Sequence, residues 1–390
     1  MRITYVTRSF LDYRIPVLEA LNRKLTGGLR IIYSADYVPK RVHDRAKQSL
    51  RENAIGMRGE KRLGPNEFPD FANSAFRIVY QPGLLRAIKK TRPDVIVSDG
   101  FFQWAFFALL YKWLYRCPLV LCYERTFHTE RHAHWYRTAY RRLVIRFVDA
   151  MACNGKLSLE YTNWLGIPES RITTGHMAAD TENLAQSVAS LSNSDRQLLR
   201  RTWGNPEVIF LAVGKLNKRK GIRELLLGWS LLEKSLPGAW ALVLIGDGPD
   251  KEKLQQLAKD LGLEKVIFQG PVDYNEIASY YAAADVFVMP TLEDNWSLVV
   301  PEAMACGMPV LCSEYNGCYP ELISVGENGW IFNPLDQQDT FNALRKCVVN
   351  RERLNEMGRK SKDIAALYSP DHAAEAILNA CKIAVQRKSR

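Results

Sequence analysis

Short runs that are apolar on both sides alternate along this chain with longer stretches whose apolar residues recur at helical spacing. Strand candidates in the first half are 3–7, 29–33, 78–80, 94–98, 118–123 and 150–153. In the second half they are 208–213, 241–245, 265–268, 285–289, 309–312 and 330–332. Between them lie patterns such as Leu254, Leu257, Ala258 and Leu261, one buried face of a helix. Strands without a polar face need cover on both sides, and parallel sheets between helical layers supply it. The alternation runs twice. We therefore expect an α/β fold of two doubly wound, Rossmann-like domains facing a cleft, at 1–182 and 183–369, with the polar segment 181–201 as the joint. The length of 390 residues and a hydrophobic share of 47% suffice for two cores.

The opening MRITYVTRSF reads as a strand and lacks the basic-then-apolar order of a secretory signal. The aromatic stretch 101–115 carries Lys112 and falls short of the roughly 20 residues that span a bilayer. Eight cysteines form no CxxC pair, a usage that fits a reducing compartment and leaves neither a disulfide scaffold nor a structural zinc site. A cytoplasmic location is expected.

The net charge of +11 is lopsided. Residues 1–180 hold 29 Lys and Arg against 16 Asp and Glu, whereas the remainder holds 24 against 26. Such a first half calls for an anionic partner. Segment 131–147 sets Tyr136, Tyr140, Leu143, Val144 and Phe147 on one helical face, with Arg137, Arg141, Arg142 and Arg146 around the rest. Segment 40–62 adds eight cations against three acids in what reads as a long loop. A basic amphipathic helix suits a membrane surface, and an ordinary helix with a solvated basic face has the same pattern. No nucleic-acid signature or interleaved stacking pattern appears, so nucleic acid is not an expected partner. Peripheral contact with an anionic membrane at its inner face, or a lipid-diphosphate acceptor, is favoured.

Ligands of open parallel sheets sit beyond the carboxyl ends of the strands, and three motifs of the second half lie there. The first is VGKLNKRKG at 213–221: Gly214 lets the backbone turn, and Lys215 and Lys220 are cations beside a helix start, suited to a diphosphate. A solvated basic turn is the alternative. The second, IGDGP at 245–249, is explained by a tight turn before a helix. The third, PTLEDNWSLVVPEAMACGMPV at 290–310, brings two acids, Asp294 and Glu302, to either side of a helix start near Leu298. Its free N–H groups can hold phosphate oxygens while the carboxylates accept hydroxyl hydrogen bonds. Taken singly, Asp294 could be a cap, Glu302 a surface residue and Trp296 core. No dinucleotide fingerprint or Walker spacing occurs, which argues against a dehydrogenase, epimerase or NTPase.

Residues 207–335 resemble the donor domain of the retaining glycosyltransferases of family 4, which have the GT-B fold. The resemblance rests on VG-x-L-x-x-x-KG, IGDGP, VIFQGPVDYNEIASYYAAADVFVMPT, and DNWSLVVPEAMACGMPV followed by GENGWIF. The first half is similar only in layout. The resemblance implies that Glu302 binds the donor ribose, Asp294 faces the donor sugar, and Lys220 and Lys215 meet the diphosphate. It further implies that the backbone at Leu298 and Val299 holds the distal phosphate, and that Gly270 to Val272 border the base. Asn295, Trp296 and Ser297, expected by the same resemblance among the donor-binding residues, stand where the family has Gly, Phe and Gly, and Lys215 stands where Arg is commoner, which gives a point charge and not a fork. A last helix, within 370–390, would pack back on the first domain.

A family histidine after a central strand makes His128 the candidate sugar contact, with His132 and His134 as rivals and a metal site as the competing reading of the three. The expected catalytic set is thus Asp294, His128, Lys220 and Lys215, without metal or cofactor. The expected substrates are a nucleotide-sugar donor and a sugar or lipid-linked acceptor. A glycosidase has no use for a diphosphate cradle. The alternative function is a non-catalytic nucleotide-sugar-binding relative, for which Asp294 speaks, one methylene shorter than the family's usual Glu.

Overall fold

The computed structural model describes residues 1–63, 78–236, 238–274 and 276–388. They fall into two units, Met1–Ala178 with Pro370–Arg390, and Ala179–Ser369. The first contains β1 (Ile3–Val6), β2 (Leu29–Ser34), β3 (Ala54–Met57), β4 (Lys61–Leu63), β5 (Ile78–Tyr80), β6 (Val95–Asp99), β7 (Leu119–Tyr123), β8 (Ala150–Cys153) and β9 (Ile172–Thr174). Its main sheet is parallel, in the order β3-β2-β1-β6-β7-β8-β9. Successive residues serve opposite cores: Ile31 and Tyr33 face one layer and Ile32 the other, as Val120 and Leu121 do in β7. The helix Pro370–Lys388 places Ala373, Ala374, Ala380 and Ala384 in the same core as Ala150 and Ala152 of β8. Short side chains on both surfaces permit this close packing.

The second unit contains β10 (Val208–Val213), β11 (Trp240–Ile245), β12 (Val266–Gly270), β13 (Val286–Met289), β14 (Val310–Ser313) and β15 (Gly329–Phe332). All pair in parallel, in the order β12-β11-β10-β13-β14-β15. The chain therefore winds one way from β10 to β12 and the other way from β13 to β15. Between β10 and β13 the loops diverge and leave a crevice at the strand ends.

Three expectations are corrected. Segment 181–201 is no joint: it forms the helices Thr181–Ser190 and Asn193–Thr202, which pack on helices of the second unit. Ser192 and Asp195 form a reciprocal cap, with Asp195 N–H donating to Ser192 Oγ at 3.2 Å and Ser192 N–H to Asp195 Oδ2 at 3.1 Å. Segment 40–62 is not a loop but the helix Lys40–Leu50, a 3₁₀ turn, β3 and β4. The strand at 78–80 does not join the parallel sheet; β5 pairs antiparallel with β4.

Segment 131–147 also differs from its pattern. The helix is Trp135–Val144, with Val144 buried while Tyr136, Leu143 and Phe147 are exposed. Arg141, expected on the basic outer face, lies inside at 2% side-chain exposure, its Nη2 2.7 Å from the equally buried Glu130 Oε2. A buried guanidinium needs such a counterion, and Glu130 comes from the preceding turn, outside the helical period. Arg137 packs over the Phe102 ring at 4.5 Å. Among the described residues no helix is long and apolar enough to cross a membrane.

Candidate active site

The site grows from the two loops that flank the β10/β13 crevice. After β10 the chain passes through Gly214 and Lys215 into the 3₁₀ turn Lys218–Lys220 and Gly221. Gly221 has φ +65°, and a Cβ there would lie 1.9 Å from the Pro290 carbonyl oxygen. Only glycine lets this loop rest on the one that follows β13. The two are stitched together at the Arg219 carbonyl, which accepts from Leu292 N–H at 2.7 Å and Thr291 Oγ1 at 2.9 Å.

That seam brings Lys220 Nζ to 2.6 Å from Asp294 Oδ2, while Asp294 Oδ1 accepts from Trp296 N–H at 3.1 Å. Burial disfavours the Asp294 carboxylate, but the Lys220 charge and the hydrogen bonds from Lys220, Ser297 and Trp296 outweigh it and hold its pKa below the usual range. The loop after β14 holds its backbone: Gly317 N–H donates to the Asp294 carbonyl at 2.9 Å. The fully buried Asn316 accepts from Ser297 and Cys318 N–H, each at 3.4 Å.

Glu302 sits in the first turn of the helix Val299–Ala305. Its Oε2 accepts from Tyr281 OH at 3.3 Å. Burial, with the nearby Asp180 charge, outweighs that hydrogen bond and pushes its pKa up to about 7. A cavity of about 420 Å³ opens beside it, lined by Gly214, Lys215, Val272, Tyr274, Val299 and Glu302 among others. Lys220 adjoins this cavity, its Cε within 3.8 Å of where a Gly214 Cβ would be.

The second unit thus gathers Gly214, Lys215, Val272, Val299 and Glu302 around one cavity, with Lys220 and Asp294 next to it. Gly270, at φ +82°, ends β12, and its carbonyl accepts from Gly246 N–H at 2.9 Å. It shapes the run into Val272. Ser297 is buried, and Asn295 lies under Gly317, whose absent Cβ would sit 1.9 Å from the Asn295 carbonyl. Trp296 is buried, with the Tyr368 ring 6.2 Å away, so its packing agrees with the core alternative. Leu298 caps the Val299–Ala305 helix. Sequence reasoning missed Tyr274 and Tyr281 at the cavity and Asn316–Gly317 behind Asp294. The run DYNEIASYY held the first two and the Asn-Gly after β14 the others.

His128 belongs to the first unit, half-buried in the turn after β7. Thr126 and Thr129 close that turn, with Thr126 N–H to Thr129 Oγ1 at 3.0 Å and the reciprocal bond at 3.2 Å, and the Glu130–Arg141 pair fixes its base. His132 and His134 are exposed, and His134 stacks on Tyr136 with centroids 5.3 Å apart. Among the described residues no cluster of three or more His, Cys, Asp or Glu groups gathers as a metal site.

The family model for glycosyl transferases group 1 matches residues 195–364, and that for glycosyltransferase family 4 matches 42–183. The chain is 28% identical over 339 residues, 82% of its length, to the sulfoquinovosyl transferase SQD2 of Arabidopsis thaliana. It is 32% identical over 172 residues, 42% of its length, to a D-inositol 3-phosphate glycosyltransferase of Corynebacterium jeikeium. It spans 63% and 41% of the lengths of these two relatives. Among solved structures, Anabaena HepE in complex with UDP superposes with a TM-score of 0.75 at 19% identity, covering 98% of this chain and 100% of that one. Sucrose-phosphate synthase of Thermosynechococcus elongatus gives 0.66 at 18%, covering 98% of each. With one family model matched in each unit and two parallel sheets of this winding, the chain belongs to the group 1, family 4 glycosyltransferases of the GT-B fold.

Proposed function

We propose that this protein is a retaining, metal-independent hexosyltransferase. It would move a sugar from a UDP- or GDP-linked donor to an acceptor hydroxyl in polysaccharide, lipopolysaccharide or glycolipid synthesis. The observation that carries this reading is the meeting of the Lys220–Asp294 pair with the Glu302 cavity at the β10/β13 crevice. Glu302 accepts the ribose hydroxyls. Lys215, Lys220 and the first N–H groups at Leu298 and Val299 take the charge that develops on the leaving diphosphate, so no resident metal or cofactor is needed.

When the diphosphate draws Lys220 to itself, Asp294 is released to orient the donor sugar, with His128 as a second sugar contact. The anomeric C–O bond to phosphate breaks and the acceptor oxygen bonds to the same face. The acceptor proton passes to the departing phosphate oxygen. The acceptor is a sugar or lipid-linked sugar, and the enzyme works in the cytoplasm at the inner face of the cell membrane. UDP is the first base to try, because a structural neighbour of the same fold holds it. The test is release of nucleoside diphosphate from UDP- and GDP-sugars with candidate acceptors. Turnover by the intact chain that Lys220→Ala lowers by about 10²–10³ supports the reading. Donor binding without turnover for every acceptor would leave the non-catalytic alternative.

A further inference from the structure

The first half carries the chain's excess of cations, and some of them lie beside exposed aromatic side chains at one end of its sheet. The helix Ala105–Tyr115 ends in Trp113, Leu114 and Tyr115, which are 53%, 60% and 45% exposed. Leu143 and Phe147, one turn apart on the neighbouring segment, are exposed beside them, and the Phe147 ring is 5.2 Å from Trp113. Single exposed apolar residues are ordinary, but five large ones on two segments that touch through Trp113 and Phe147 mark a contact surface.

The rim of this patch is basic. Lys89 Nζ lies 5.3 Å from the Tyr115 ring; Arg116, Arg142 and Arg146, the sequence neighbours of Tyr115, Leu143 and Phe147, are exposed, with the Arg142 guanidinium 4.2 Å from the Trp164 ring. A cavity of about 320 Å³ beside Trp113 is lined by Lys112, Arg116 and Lys388, and a second of about 410 Å³ beside Tyr115 shares Lys388. The acids at these cavities are engaged: Lys112 pairs with Asp149 and Arg2 with Asp94. Both cavities open beside Pro118, where β7 begins, and the second also beside Pro93, just before β6, at the edge of the sheet opposite its carboxyl ends.

We propose that this face, Trp113, Leu114, Tyr115, Leu143 and Phe147 within their ring of cations, docks on an anionic phospholipid surface, with headgroup phosphates in the Lys112–Arg116–Lys388 cavity. The aromatic rings seat at the headgroup level and the arginines meet the phosphates. A second copy of the chain would set one cation ring against another, so charge complementarity selects lipid. The proposal names the surface behind the peripheral placement proposed above, and it does not depend on the donor site.

The test is flotation of the full chain with vesicles of phosphatidylglycerol and phosphatidylcholine in equal parts, against phosphatidylcholine alone. Binding is expected to the anionic vesicles only and to weaken with salt. Each cation removed costs about fivefold in affinity, so Arg116→Glu, Arg142→Glu and Arg146→Glu together should lower it by at least about a hundredfold. Trp113→Ser with Leu114→Ser should abolish stable binding. Unchanged flotation in both variants overturns the proposal, as does equal binding to neutral vesicles, or self-association that the same variants remove. Nucleoside diphosphate binding should be unchanged throughout; its loss would mark a folding fault, and its absence in the parent would count against the donor site alone.

Discussion

Lys220 Nζ and Asp294 Oδ2 stand 2.6 Å apart across the seam between the loops that follow β10 and β13. In the proposed reaction the pair joins the cation that meets the leaving phosphate with the carboxylate that meets the donor sugar.

Truncating Lys220 should therefore act on turnover more than on folding. Lys220→Ala is expected to lower kcat/KM by about 10²–10³, the usual effect of one electrostatic stabiliser, with thermal stability reduced by about 1 kcal/mol. Asp294→Asn should keep nucleoside diphosphate binding and lose transfer. The lowered pKa of Asp294 adds a pH signature. Its pairing stabilises the fold above the pKa of the unfolded carboxyl and is lost as pH falls through the lower folded value. The stability gap between parent and Asp294→Asn should then close in acid unfolding curves.

Glu302 behaves in the opposite sense. Its pKa near 7 lies above the ordinary 4.5, so between these values the folded state carries a proton that the unfolded state has released. Stability falls as pH rises through that window, by at most about 3 kcal/mol. Glu302→Gln should be more stable than the parent at pH 8 and equal to it near pH 4. Donor affinity should follow the other course, rising from pH 6 to 8 as the carboxylate forms, with the Glu302 part of that rise missing in Glu302→Gln. Paired thermal melts and titrations across this range check both.

Gly221→Ala places a methyl against the Pro290 carbonyl at a left-handed φ. We expect a loss of at least about 2 kcal/mol, read as a fall in midpoint on urea unfolding. Donor affinity should fall with it, because the seam carries both lysine and acid.

Breaking the Glu130–Arg141 pair leaves a charge at 2% exposure without its partner. Glu130→Gln should cost about 3–5 kcal/mol. Replacing both residues with Leu and Met should restore much of that. Chemical denaturation of the three variants measures the coupling.

The sheets were legible in the sequence because their strands are buried on both faces, and runs such as 118–123 and 208–213 allow little else. What escaped was short or peripheral. β3 holds a glycine in four residues, and β9 is three residues at the sheet edge. The helices of 181–201 were announced by Ser192 and Asp195, but polar surroundings hid them. In the site, the acids and lysines stood out because charge at a strand's end is conspicuous. Tyr281, Asn316 and Gly317 looked like ordinary packing and turn residues, since their roles depend on neighbours distant in sequence. Arg141 was misplaced because period alone cannot reveal a counterion that lies outside the helix.

The most direct measurement is calorimetric titration of the full chain with UDP and with uridine, or with the guanine pair if GDP gives the larger thermal shift. It should be carried out for the parent and for Lys215→Ala with Lys220→Ala. Loss of two charge-assisted contacts should weaken the nucleoside diphosphate by at least about a hundredfold and leave the nucleoside unaffected. Equal weakening of both ligands, or of neither, would contradict a diphosphate grip between β10 and β13.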